Sequence, residues 1–146
     1  SEHRTTISWH RETEGFAYDE YARDHEWLTG SGQRLAASAA PEFLGSGESI
    51  DPEEAFVGSV AACHMLTFLA ICARRRIVVN AYQDAAIGFL RKNADGRLAI
   101  TRVELYPTVT FDADDPSTQT LEWLHERSHQ ECFIANSVTT EIVVCR

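Results

Sequence analysis

The stretch DPEEAFVGSVAACHMLTFLAICARRR, residues 51–76, decides the fold of this chain. Asp51 can cap a helix, Pro52 suits a first helical position, and Glu54 stands three residues after the cap, as in a capping box. Acids at this end and Arg74, Arg75 and Arg76 at the other both complement the helix dipole. The pattern predicts a helix of about 24 residues, roughly 36 Å long at 1.5 Å per residue, as the spine of the domain. Cys63 lies in its middle and Cys72 nine residues later. At about 100° per residue the two point to opposite faces, so one thiol at most can look into a given site.

Outward from the spine, the first 40 residues read as strands broken by turns: TTISW, then FAYDEYARDHEWL, then QRLAAS after the GSG turn. PEFLGSGESI, residues 41–50, reads as a connecting loop. Downstream, residues 82–92 and 98–111 flank the turn NADG, and the alternation of Val103, Leu105, Val109 and Phe111 with polar neighbours predicts a half-buried hairpin. Pro116 opens a second helix carrying Leu121, Trp123 and Leu124 and running to about Cys132. VTTEIVV closes the chain as a strand. Strands, a long helix, a hairpin, a helix and a last strand offer too few βα alternations for a parallel sheet, so the expected class is α+β.

The 146 residues suit one domain and allow burial of roughly two-thirds of the unfolded surface. Thirteen basic against 22 acidic residues, a net charge of −9, argue against nucleic acid or an anionic membrane as partner. Small molecules or proteins remain. The apolar run Phe56–Ala73 is interrupted by Gly58, Ser59, His64 and Thr67, and the N-terminal SEHRTTISWH has no apolar core for a signal peptide. A cytoplasmic protein with reduced cysteines is expected, in which any disulfide is transient.

Cys63 and Cys132 sit where thiols can be used, 69 positions apart on two helices. They can meet only if the fold brings those helices together. Burial as small hydrophobes is the competing reading, and it is the one given to Cys72, while Cys145 is taken as incidental near the terminus. On the second helix His125, His129 and Cys132 fall at i, i+4 and i+7 on one face. That spacing supports a rival, a non-enzymatic metal or small-ligand binder in which Cys63 with adjacent His64 completes the ligands for zinc. His64 itself reads as an ordinary neighbour of Cys63. A Cys/His hydrolase ranks last, since no orienting group or oxyanion hole is evident.

At DPEEAFVGSVAACHM the chain resembles the OsmC/Ohr family of osmotically inducible and organic hydroperoxide resistance proteins. Their pattern places a Pro-Glu segment ten residues before a cysteine in an apolar helix, here Glu53 and Cys63. HQECFIANS around Cys132 is similar to the second family signature, and the element order fits from about residue 5 to residue 145. The resemblance implies antiparallel sheets around a long central helix in an intertwined homodimer. It also implies reduction of an organic or lipid hydroperoxide by Cys63, resolution by Cys132 as a disulfide, and regeneration by an external dithiol of lipoyl type. No metal or bound cofactor is required. An arginine in a setting like ARDHE, Arg23, would hold the first thiol ionised, with Arg34 as the alternative, and Glu53 would orient that arginine. On an unbroken helix Glu53 lies about 15 Å along the axis from Cys63, so it must come from a second subunit unless the helix breaks between them, as Gly58 and Ser59 permit. Phe133 and His64 depart from residues frequent in the family, which leaves the pocket free to differ.

Overall fold

A computed structural model describes residues 1–146, which divide into two compact units, Ser1–Ala55 and Phe56–Arg146. In the N-terminal unit β1 (Thr5–Ser8), β2 (His25–Thr29) and β3 (Arg34–Ala37) form an antiparallel sheet in the order β1-β2-β3. The aromatic-rich residues 16–24, expected to extend a strand, instead form turns. Trp9, Phe16 and Tyr21 pack on one another there with centroids 4.7–6.0 Å apart. Aromatic content favours strands only where a neighbouring strand supplies pairing.

Helix α1, Pro52–Arg74, spans 23 residues without a break at Gly58 or Ser59. Its start is a reciprocal capping box: the Glu54 amide donates to Asp51 at 2.7 Å, and the Asp51 amide donates to the Glu54 carboxylate at 3.1 Å. By length and composition α1 could cross a membrane. In the fold its Val60, His64, Phe68, Ile71 and Cys72 are buried.

The C-terminal unit holds two sheets. Strand β4 (Val79–Asp84) pairs antiparallel with β7 (Pro107–Phe111), while β5 (Ile87–Lys92), β6 (Leu98–Leu105) and β8 (Glu141–Val144) form the order β5-β6-β8. Each arm of the expected hairpin is therefore two strands, divided at 85–86 and at Tyr106, and the halves join different sheets. The division is pinned by the Tyr106 amide donating to the Asp84 carboxylate at 2.7 Å. NADG does make the tight β5–β6 connection, with Asn93 Oδ1 accepting from the amides of Asp95 and Arg97 and Gly96 at φ +77°. The sheets are antiparallel as expected except for the β6–β8 pair, which is parallel. Helix α2 (Thr118–Glu131) lies between these strands in the chain and supplies the length a parallel return needs. It is capped by Ser117 and so begins two residues after Pro116.

The core lies along α1. Phe68, Ile71, Cys72 and Leu124 cluster with Val79, Tyr82, Val109 and Phe111, from α2, β4 and β7. Val60, Val103 and Leu105 cluster with Phe56, Ile100, Ile142 and Val144, so the earlier turns of α1 face the β5-β6-β8 sheet. Strand β5 passes so close that a Cβ at Gly88 would sit 2.3 Å from Val57. Only glycine fits there.

Candidate thiol site

Cys63 lies on the side of α1 turned away from this core and lines an open cleft of about 860 Å³. Ser59, Leu66, Thr67, Ala70 and Arg74 continue the α1 wall, and Phe133 and Ile134, after α2, stand opposite. Cys132 is the C-cap of α2, 1% exposed, and its sulfur accepts from the Ala135 amide at 3.4 Å. Burial pushes the Cys132 thiol up from its ordinary value, and the neighbouring Cys63 thiol pushes it further. The two thiols are thus near enough to perturb one another, Cys63 partly exposed in the cleft and Cys132 buried. Cys72 points into the core, as the half-turn separation from Cys63 requires, and burial raises its thiol as well.

The charged residues expected to serve Cys63 have partners of their own. The Arg23 guanidinium donates to the carbonyls of Tyr18 and Tyr21 and lies 3.8 Å from the Tyr21 ring centroid, all within the N-terminal unit. Arg34 pairs with Glu26 across β2–β3 at 2.5 Å. Glu53 has one buried, unpartnered carboxylate oxygen, and its pKa is raised, first by desolvation and further by Asp51 and Glu42. With α1 continuous, ten residues put Glu53 about 15 Å along the axis from Cys63. The cation that does line the cleft is Arg74, three turns from Cys63 on the same helix stripe.

The metal-binding reading of His125, His129 and Cys132 is overturned. No three His, Cys, Asp or Glu side chains come together as a ligand group. His125 turns inward, with Nδ1 3.0 Å from His64 Nε2, and stacks on Phe68 with centroids 4.5 Å apart. Cys132 faces Cys63 instead. His64 is therefore no bystander but half of a buried imidazole pair, 1% exposed. Burial, with His125 and His129 nearby, lowers His64 to about 4, and burial and Arg146 lower His125 to about 4. Sequence spacing gave no signal for this pair, whose members are 61 residues apart. Arg74 did carry one, since i+11 falls within 20° of Cys63 on a helix.

An α+β chain with a partly exposed and a buried cysteine close together beside an apolar cleft defines a thiol-bearing fold. The family model for OsmC-like proteins matches residues 45–145, and the chain belongs to that family. The solved structure of an OsmC-like protein of unknown function from Vibrio cholerae is 42% identical, with 99% of this chain and 98% of that one covered and a TM-score of 0.94. An organic hydroperoxide resistance protein from Legionella pneumophila superposes with a TM-score of 0.74 at 16% identity, covering 100% and 98% of the two chains. One from Bacillus subtilis gives 0.71 at 15%, covering 99% and 96%. With these last two the chain shares the fold. No curated protein matches the sequence.

Proposed function

We propose that this chain is a cytoplasmic, homodimeric thiol peroxidase that reduces organic or lipid hydroperoxides to alcohols. The observation that carries the reading is the nearness of a reachable Cys63 to a buried Cys132 at the wall of a largely apolar cleft. The Cys63 thiolate attacks the terminal peroxide oxygen, the O–O bond breaks, and the electron pair leaves with an alkoxide that takes a proton to become the alcohol. Cys63 is then a sulfenic acid. The Cys132 thiol condenses with it, forming the S–S bond and releasing water, and an external dithiol reduces the disulfide with two electrons and two protons. A raised Cys132 suits the second position, because it stays a protonated thiol while Cys63 reacts.

Arg23 is assigned to hold Cys63 as thiolate, a role in which it must exchange its Tyr18 and Tyr21 carbonyls for the sulfur. Glu53 is assigned to orient that arginine from a second copy, since an unbroken α1 separates it from Cys63 of its own chain. Titration of free thiols after one equivalent of a hydroperoxide tests the reading. Two thiols are lost in the native protein. Cys63→Ser slows this by at least about a thousandfold, on the scale of removing a nucleophile, and Cys132→Ser leaves a trappable sulfenate on Cys63. Peroxide consumption by Cys63→Ser at the native rate overturns the assignment. Arg23→Ala and Arg34→Ala, compared by the pH midpoint of Cys63 alkylation, tell which arginine acts.

A further inference from the structure

We propose that the hydrogen bond between His64 and His125 is a positioning contact for the resolving thiol: it fixes α2 against α1 so that Cys132 is presented to Cys63. This deepens the peroxidase reading and rests on it for the use of the disulfide, though not for the contact itself.

Each ring shares a helix with one of the thiols. His64 follows Cys63 directly on α1, and His125 precedes Cys132 by seven residues, two turns of α2 that return to the same side about 10 Å further along. His64 Nε2 and His125 Nδ1 are 3.0 Å apart, the one side-chain hydrogen bond between α1 and α2. Apart from the Arg146–Glu122 pair at 4.0 Å, the other polar side-chain contacts of α2 stay within the helix or its flanking turns. The two ring planes differ by 6° with centroids 5.3 Å apart, so the imidazoles meet edge to edge in one plane. Phe68, one turn beyond His64 on the same face of α1, stacks over His125 at 4.5 Å. His125 is thus held at its edge by a directional bond and over its face by an aromatic ring, which leaves α2 little freedom to slide. Apolar burial alone is non-directional. A disulfide is more exacting, since its two Cα atoms must fall within roughly 4.4–6.8 Å of one another.

The direction of the bond follows from what surrounds it. His64 Nδ1 is buried without a partner, so the proton sits on Nε2, which avoids an orphaned N–H. His64 therefore donates and His125 accepts. His125 also lines a cavity of about 310 Å³ whose charged and titratable neighbours are Glu122, Glu126, His129 and Arg146. Burial keeps both rings neutral at ordinary pH, as a shared single proton requires. The rings are 1% and 2% exposed within one chain, so no second copy is needed to close the contact.

The test reads the effective concentration of the Cys63–Cys132 pair against glutathione at neutral pH. His64→Leu with His125→Leu fills the space without the bond, and the effective concentration falls at least about tenfold. His64→Gln with His125→Asn, whose amides put polar groups where Nε2 and Nδ1 stood, restores it to within about threefold. Val103→Ala, which weakens the other core cluster, leaves it unchanged. A native value in the leucine pair, or the same fall in Val103→Ala, overturns the positioning role. If the native protein forms no such disulfide, the peroxidase reading fails and the contact is judged separately in Cys63→Ser. There iodoacetamide labels Cys132 at least about tenfold faster once the leucine pair is added, because the buried thiol is released, and equal labelling overturns the proposal. Nitrogen NMR of the imidazoles in the native protein needs no variant: a His64 Nε2–H bonded to His125 is expected, and two unbonded rings overturn it.

Discussion

Helix α1 presents two faces to different surroundings, and residues next to each other in sequence divide between them. Cys63, Leu66 and Ala70 look onto an open cleft, while His64, Phe68, Ile71 and Cys72 are sealed against α2 and the β4–β7 sheet. The same residue type behaves differently on each side: Cys63 is accessible, whereas Cys72 is 1% exposed with its thiol pushed up by desolvation. Reactivity in this fold is a matter of which face the helical rotation assigns, since a thiol needs access and an environment that tolerates its charge. The sealed face carries the core, and the open face leaves Cys63 accessible.

The contrast breaks most visibly at Phe68. Its ring is fully buried between His125 and Tyr82, so Phe68→Ala should cost about 3–5 kcal/mol in denaturant unfolding. A cost below about 1 kcal/mol would mean that this face is not the core. Alkylation under native conditions comes next. Cys63 should react at least about a hundredfold faster than Cys72, which needs local opening first, and mass mapping of labelled peptides reads the ratio.

Acid probes the sealed face through its imidazoles. His64 and His125 each stand near 4 when folded against 6.5 unfolded, and they face one another, His129 and Arg146. The folded state therefore binds fewer protons than the unfolded chain between these values. Stability is complete above about pH 6.5, falls as pH drops toward 4, and levels off below. The loss is about 2 kcal/mol for one ring between neutral pH and pH 5. Replacing both rings, His64→Leu with His125→Leu, should flatten that slope in unfolding curves taken at the two pH values. The smallest effect belongs to the open face: Leu66→Ala should change stability by less than about 0.5 kcal/mol, being 62% exposed. A larger loss would indicate that a second copy buries Leu66, and would sharpen the case for the dimer.

Much of this was legible beforehand where the governing physics is local. The Asp51–Glu54 box and Pro52 set the start of α1, and the arginine cluster its end. The rotation between Cys63 and Cys72 follows from helix geometry alone. The two cysteine signatures also placed the chain in its family before any contact was known. The long arms around NADG misled because alternation continues through Tyr106, and it takes a side chain 22 residues away, Asp84, to fix the break. The histidine triplet on α2 misled because spacing shows which residues share a face, not what that face meets.

What the sequence determined by itself is the spine helix, its two faces and the α+β class. Only the tertiary structure decided that β8 runs parallel beside β6, that His125 turns to His64, that Cys132 is buried against Cys63, and that Arg74 is the cation left in the cleft. The reason is range. Caps and helical phase act within a few residues, whereas strand partners and side-chain encounters 60 or more positions apart are chosen by the packing of the whole core.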